Sequence, residues 1–174
     1  MPNKNKNKGK RGENAVCKLL ESVFNLNFMR VFTSGAFFGG KNISKFSKYT
    51  KEQQDLNEGD IVVPEELSHF SLEVKNYKDF PFHALFNGKC AILDGWIKQA
   101  SHTNKPFWLL FFKITHKSTY VCHLKRYNFL TKNNVMIYNN DYCIELAETF
   151  LNNNKNKMLE IKNVYKFEKE GIEI

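Results

Sequence analysis

The sequence predicts an α/β fold in which a mixed central sheet is flanked by helices within a single domain. The chain has 174 residues, enough for one domain with a sizeable core, and no shift in composition divides it. Segments with apolar residues at helical spacing alternate with short apolar runs of strand length. Over the first two thirds the element order is α-β-β-β-α-β, which is typical of a mixed sheet covered by helices.

The N-terminal segment combines a basic arm with the first helix. Residues 1–8 alternate Asn and Lys, which predicts a disordered arm that is either a solvated tail or a contact to phosphates. A helix is predicted from about Gly9, because apolar residues such as Val16 and Leu20 recur at helical spacing. Glu13 falls in its first turn, where the helix dipole favours a carboxylate.

The next segment is predicted to be a strand, a glycine-rich turn and a long loop. The strand covers residues 25–33, the turn covers residues 33–40, and a polar, lysine-rich stretch continues to Glu58. Loops of this length are uncommon in compact domains and are usually functional or mobile. Two strands follow, at residues 59–65 and 69–77.

The rest of the chain continues the alternation of helices and strands. The predicted elements are a connector at 79–82, a helix at 89–102, strands at 107–114, 119–125 and 134–138, a helix at 141–152 and a final strand at 158–166. We therefore divide the chain into the arm and one domain over residues 9–174. Its core spans about 9–126, and residues 127–174 form a C-terminal extension.

The charge balance points to a polyanionic partner. Lysine and arginine outnumber aspartate and glutamate by 26 to 18, which gives a net charge of +8. Such a surplus favours nucleic acid, although it does not identify one by itself.

The four cysteines indicate a reducing compartment. They are far apart and form no CxxC pair, so we expect reduced, mostly buried thiols. This pattern is typical of a cytoplasm-like compartment. No apolar run approaches the length that spans a bilayer, so no membrane partner is expected.

The most informative residues are acidic and basic side chains on two neighbouring predicted strands. Asp60 stands at the head of one strand, and Glu73 and Lys75 stand in the next. Successive strand side chains point to opposite faces, so Glu73 and Lys75 share a face, and pairing of the strands brings Asp60 close to it. Mg²⁺ takes oxygen ligands, usually from one or two carboxylates and from substrate phosphates. The spacing therefore indicates metal-dependent phosphodiester chemistry.

Each of these residues also has a purely structural explanation. Glu73 and Lys75 could form the solvated face of an edge strand, and Asp60 could be an ordinary turn residue. However, a helix and a further apolar strand follow the strand at 69–77, which predicts a central position where exposed charges are hard to accommodate. The catalytic interpretation is therefore favoured.

Together these residues resemble the PD-(D/E)XK nuclease superfamily and, within it, Holliday junction resolvases of the archaeal and phage type. The matching positions are Lys10-Arg11-Gly12-Glu13, Arg30, Thr33-Ser34-Gly35, Gly59-Asp60-Ile61, Leu72-Glu73-Val74-Lys75, Gln99, Pro106 and Leu110-Phe111-Phe112-Lys113. The resemblance covers residues 8–126. It departs from the family at Gly59, which replaces the proline of the motif, and at residues 41–57, which look like an insertion.

The resemblance implies a restriction-endonuclease-like fold that hydrolyses DNA with the help of a metal. Asp60, Glu73 and Glu13 would hold one or two Mg²⁺ ions, with Mn²⁺ as a substitute. Lys75 would orient the attacking water or stabilise charge on the phosphate. Ser34 would lie near the scissile phosphate.

The resemblance also implies a substrate and an assembly. Resolvases of this type are two-fold homodimers that cut opposing strands of a four-way junction, and aromatic residues around 80–86 are candidates for the dimer contact. The residues expected to bind DNA are Lys4, Lys6, Lys8, Lys10, Arg11, Arg30, Lys41, Lys45, Lys48, Gln99 and Lys113. Two alternatives stay open: a duplex or flap endonuclease of the restriction or repair type, and a non-catalytic DNA-binding protein with this fold.

Overall fold

A computed structural model of the chain describes residues 4–31, 58–131 and 134–169. The elements in chain order are α1 (Lys4–Phe24), β1 (Met29–Arg30), β2 (Ile61–Val62), a 3₁₀ turn (Glu65–Leu67), β3 (Phe70–Tyr77), α2 (Phe82–Phe86), α3 (Ala91–Ala100), β4 (Phe107–Ile114), β5 (Thr119–Leu124), a second 3₁₀ turn (Lys125–Tyr127), β6 (Met136–Tyr138), β7 (Tyr142–Leu146) and α4 (Ala147–Lys169). Within these ranges no helix is both long enough and apolar enough to cross a membrane.

Five strands form one mixed sheet in the order β3-β4-β5-β7-β6. The pair β3–β4 is parallel and the other pairs are antiparallel. A parallel pair needs a crossover connection, and α2 and α3 provide it. Strands β1 and β2 form a separate antiparallel pair beside β3. These observations confirm the predicted mixed sheet flanked by helices in a single domain.

Strand β4, which lies between β3 and β5, separates two apolar layers. Leu109 and Phe111 face the layer that contains α1 and α4, whereas Leu110 and Phe112 face the layer that contains α2 and α3. All four side chains are fully buried, because both faces of the sheet are covered. This explains why β4 appears in the sequence as a continuous apolar run, and it confirms the strand predicted at 107–114.

The N-terminal arm differs from its prediction. Helix α1 begins at Lys4, so the prediction of a disordered arm over residues 1–8 is wrong for Lys4–Lys8, which are helical. Residues 1–3 lie outside the described ranges. Extending an existing helix adds a hydrogen bond per residue without a new nucleus, which offsets the modest helix propensity of Asn. The Asn76 side chain also donates to the Lys8 carbonyl oxygen at 2.8 Å, which holds this turn against β3.

The C-terminal third contains the largest corrections. The helix predicted at 141–152 is confirmed from Ala147 onward, but residues 142–146 form strand β7. The final strand predicted at 158–166 is wrong because these residues lie within α4. Strand β7 pairs along both edges, with β5 and β6, and Cys143, Ile144 and Glu145 in its middle are all buried, so its sequence lacks polar alternation. Pairing between distant strands decided its conformation, and local propensity did not.

The strands beside the predicted site are shorter than expected, and one lies at an edge. The strand predicted at 25–33 is reduced to β1, and the one at 59–65 to β2, within the described residues. Strand β3 matches the prediction at 69–77 but lies at the edge of the five-stranded sheet, which corrects the predicted central position. Its outer edge is approached by the start of β2.

The other predictions for the second half agree with the structure. Helix α3 lies within the predicted 89–102, and β5 and β6 fall within the strands predicted at 119–125 and 134–138. The short helix α2 starts in the predicted connector and extends past it. All four cysteines are free and buried, as expected.

A buried asparagine joins α4 to the segment that follows β5. Asn154 is fully buried, and its side chain accepts a hydrogen bond from Leu130 N at 2.7 Å and donates to Leu130 O at 2.9 Å. It also donates to Phe150 O at 2.9 Å. One side chain thus satisfies both backbone groups of Leu130. Asn154 makes the two hydrogen bonds that a neighbouring strand would otherwise provide.

Replacing Asn154 with alanine is expected to lower the free energy of unfolding by about 2–4 kcal/mol, because two backbone groups lose their partner. Urea denaturation measures the change. The matched control is Asn152→Ala on the same helix, where an exposed side chain bonds only Glu148 O, and a change within about 0.5 kcal/mol is expected. Equal effects of the two substitutions would contradict this role.

Candidate active site

The candidate site starts where β2 meets the edge of β3. Gly59 has a φ of +83°, and a Cβ at this position would lie 2.7 Å from Leu72 O. Only glycine allows such a close approach in this conformation, which explains why glycine stands in place of the motif's proline. The approach lets Asp60 N donate to Leu72 O at 2.8 Å, while Val31 N donates to Asp60 O at 2.9 Å. The backbone of Asp60 is therefore fixed between two strands.

The side chain of Asp60 completes the edge of β3. Its Oδ2 accepts a hydrogen bond from Val74 N at 2.8 Å. A strand at the edge of a sheet presents unpaired backbone groups, and here a carboxylate satisfies one of them. The same bond places the Asp60 carboxylate beside Glu73, the residue before Val74.

Glu73, Lys75 and Gln99 form a closed triangle of hydrogen bonds on the α3 face of the sheet. Lys75 Nζ lies 2.5 Å from Glu73 Oε1 and 2.8 Å from Gln99 Oε1. Gln99 Nε2, from α3, donates to Glu73 Oε1 at 2.6 Å. Glu73 is 7% exposed, so its charge is held by these partners and little by water. As predicted, Glu73 and Lys75 share a face, and Gln99 joins them.

The two carboxylates of the site disfavour each other's charge. Burial, and after it the neighbouring Glu73, raise the pKa of Asp60 from 3.8 to about 7, although the hydrogen bond from Val74 and the Lys75 ammonium lower it. A carboxylate whose pKa is raised by burial and by a neighbouring carboxylate is typical of functional sites. A bound cation would relieve this repulsion.

The donor set fits a hard divalent cation. Asp60 and Glu73 offer carboxylate oxygens, and Mg²⁺ commonly uses one or two carboxylates and keeps several waters. Across the described part of the chain, no group of three or more His, Cys, Asp or Glu side chains is arranged to hold a metal. Asp60 and Glu73 could supply two of the oxygen ligands of such a cation.

Glu13 lies on α1, on the other side of β3. Its Oε2 pairs with Arg30 NH1 of β1 at 3.2 Å, and both side chains are largely buried. The structure does not gather Glu13 with Asp60 and Glu73 into a three-carboxylate cluster. Its metal-binding role thus stays a prediction.

Asn76 was not among the candidates, yet it positions α1 against the site strand. A Cβ on Gly12 would lie 2.7 Å from Asn76 Cβ, so the glycine allows α1 to approach β3 closely. The Asn76 side chain also bonds the helix backbone at Lys8. The indication available in the sequence was that Asn76 carries an amide, directly follows Lys75 and points to the opposite face of the strand.

The remaining residues predicted to bind DNA or to lie near the scissile phosphate differ in where they lie. Lys8, Lys10 and Arg11 lie on α1 near the end of β3, and the Lys8 ammonium lies 6.0 Å from the ring of Tyr77. Lys113 pairs with Asn76 and faces the α1 side, away from Lys75. For Lys4 and Lys6 the helix backbone is described, and Ser34, Lys41, Lys45 and Lys48 lie outside the described residues.

A protein-family model matches the chain. The model of a family described as "Phage putative PDDEXK endonuclease" matches residues 4–172 of the chain. This match covers nearly the whole sequence, including the C-terminal part that follows the residues of the original resemblance. Neither a curated protein nor a solved structure matches the chain.

We expect the metal-free protein to lose stability as pH rises from about 4 to 7, because the folded state holds the Asp60 proton with a pKa of about 7. At about 1.4 kcal/mol per pKa unit, the penalty above pH 7 is on the order of 4 kcal/mol. Urea denaturation in a chelator at several pH values measures it. Asp60→Asn should remove this part of the pH dependence.

The control for this experiment is Glu66→Gln, which removes an exposed carboxylate near the site. It should keep the pH dependence of the wild type. Added Mg²⁺ should restore stability to the wild type at about pH 8 but not to Asp60→Asn. If the stability of Asp60→Asn kept the pH dependence of the wild type, ionisation of this carboxylate would not be what destabilises the folded protein.

Proposed function

The chain belongs to the phage putative PDDEXK endonuclease family, and on this premise we propose that it is a Mg²⁺-dependent DNA endonuclease selective for four-way junctions. The nuclease class follows from the family, whose superfamily typically uses divalent metals. The metal, the branched substrate and the roles of individual residues are the proposal. Its main support is the placement of the Asp60 and Glu73 carboxylates next to each other, with Lys75 hydrogen-bonded to Glu73.

In this proposal, Asp60 and Glu73 hold the divalent cation at the edge of β3. When bound, the cation supplies a Lewis acid that lowers the pKa of a water and stabilises charge on the phosphate. Lys75 then directs its ammonium toward the attacking water or the phosphate oxygens. Gln99 keeps Lys75 and Glu73 in place through its two hydrogen bonds.

The fixed geometry supports hydrolysis better than simple binding. Backbone hydrogen bonds on both sides of Asp60 hold its carboxylate, and α3 holds the other two side chains. Catalytic groups held before substrate arrives contribute more than mobile ones, because reorganisation is already complete. A protein that only bound DNA would have no need to bury two carboxylates beside a phosphate.

The branched substrate and a homodimer are supported by the resemblance to junction resolvases and by surface features. The net charge of +8 suits a polyanion. Of the aromatic residues around 80–86, Phe86 is 79% exposed, whereas Phe80 is buried against Trp96. Phe86 is therefore the residue of this segment that we assign to the two-fold contact.

Asp60→Asn and Glu73→Gln should each reduce Mg²⁺-dependent cleavage of a synthetic four-way junction by on the order of 10³-fold, because one metal ligand is lost. Gln99→Leu should reduce it by about 10–100-fold, since the supporting hydrogen bonds are lost. Single-turnover cleavage of labelled junctions measures these effects.

Glu66→Gln is again the matched control, and its rate should equal that of the wild type. Chelation of the metal should stop cleavage, and Mn²⁺ should restore it. If Asp60→Asn and Glu73→Gln cut at the wild-type rate, the catalytic assignment is wrong. A wild type that binds DNA but cleaves nothing would instead favour the non-catalytic alternative.

The wild type should cut a four-way junction at least about 10-fold faster than linear duplex of the same sequence, and it should linearise a cruciform plasmid by paired cuts. Phe86→Ser should leave the protein monomeric in sedimentation and yield nicked rather than linear plasmid. Equal or faster cutting of linear or flap substrates would replace the resolvase proposal with the restriction or repair alternative.

A further inference from the structure

A basic groove lies on the α3 side of the sheet, beyond the C-terminal end of α3. It consists of two adjoining cavities of about 600 and 350 Å³ that share Leu124, Arg126 and Tyr142. Lys125 lines the larger cavity and Lys105 lines the smaller one. We use "basic groove" for the depression defined by these five residues.

The basic groove continues the face that carries the candidate active site. In the parallel pair β3–β4, Glu73 lies opposite Leu110 and Ser71 lies opposite Trp108, which lines the groove. Residues that lie opposite each other in paired strands point to the same face. Ser101, two residues after Gln99, also lines the groove.

Cations dominate the lining of the groove. Lys125 and Arg126 are exposed on the 3₁₀ turn that follows β5, and Asp141 is the carboxylate that also lines the larger cavity. The Arg126 guanidinium is near enough to Tyr127 and Tyr142 to lower the pKa of each hydroxyl, although burial raises both. Its charge is thus directed over the groove.

The walls of the groove are preformed. Lys125 N donates to Asp141 O at 2.7 Å, which joins the turn after β5 to the β6–β7 hairpin. Asn128 and Asn140 end these segments with φ values of +57° and +62°, a conformation that asparagine tolerates better than most residues. Little conformational entropy is therefore lost when a ligand binds.

We propose that the basic groove binds the DNA backbone beside the cleavage site, through Lys125 and Arg126. The inference rests on the proposed nuclease function. Cys122 of β5 lies opposite Leu110 and is therefore two strands from Glu73, roughly 10 Å at a spacing of about 4.8 Å per strand. Lys125 follows three residues later in the chain, roughly 10 Å further along at about 3.4 Å per residue, so it lies roughly 14 Å from Glu73. At about 3.4 Å per nucleotide along a duplex, the contacted phosphates lie about four nucleotides from the scissile one.

The charge of the basic groove suits phosphates, and Trp108 in its lining is not available for base stacking. Trp108 is 5% exposed, so its ring is covered and presents no platform for a base. Phosphate contacts position DNA without reading its sequence. The groove would therefore hold junction arms and duplex alike, and would set the register of the strand in the active site.

The test compares two double variants with the same loss of charge. Lys125→Gln with Arg126→Gln removes the groove cations, and Lys18→Gln with Lys89→Gln removes two exposed cations elsewhere. Dissociation constants for a four-way junction are measured in a chelator, which prevents cleavage, over a range of salt. We expect the groove variant to bind roughly 10-fold more weakly at about 0.1 M salt, with a salt slope lower by about 2. The control should change much less.

A second measurement locates the contact. Uncharged methylphosphonates placed about four nucleotides from the mapped cut should weaken binding of the wild type and leave the groove variant unaffected. Equal salt slopes for the two double variants, or equal methylphosphonate effects, would overturn the proposal. A wild type that cleaves nothing contradicts the nuclease function alone, because the binding data without metal still decide the groove.

Discussion

The site depends on how the exposed edge of β3 is satisfied. An edge strand leaves backbone groups unpaired, and Asp60 pairs with two of them: its backbone N–H donates to Leu72 O, and its carboxylate accepts from Val74 N. One residue thereby ends the sheet and fixes a carboxylate beside Glu73. The close approach needs the glycine at position 59. The structural explanation that competes with catalysis, an edge strand with charged side chains, thus describes part of how the site is built.

The arrangement of charged groups that the proposed function requires lowers the stability of the folded protein. The same burial that holds Asp60 and Glu73 in place raises the pKa of Asp60 to about 7, so the charged pair is unfavourable in the folded protein. Lys75 and Gln99 offset part of this cost through their bonds to Glu73. A divalent cation bound together with a substrate phosphate would offset the remaining cost of keeping both carboxylates charged. Metal binding, substrate binding and ionisation of the site are therefore linked.

The two faces of the sheet have different tasks. The layer of α1 and α4 is mainly structural, and within it Asn154 satisfies the backbone of Leu130 with one buried amide. The layer of α2 and α3 carries Gln99 on the site side and ends at the basic groove. Strand β4, which is buried on both faces, joins these layers into a rigid unit. Substitutions on the two faces should therefore affect stability and activity separately.

The sequence by itself predicted the grouping of the candidate site residues. Glu73 and Lys75 share a face with Asp60 beside them, as strand alternation and strand pairing indicated, because these rules are local. Gln99, which the family resemblance suggested, joins them from α3. Tertiary structure decided the rest. The edge position of β3 and the conversion of residues 142–146 into a strand depend on pairing between distant segments. The basic groove likewise exists only because two turns, far apart in the chain, meet at one end of the sheet.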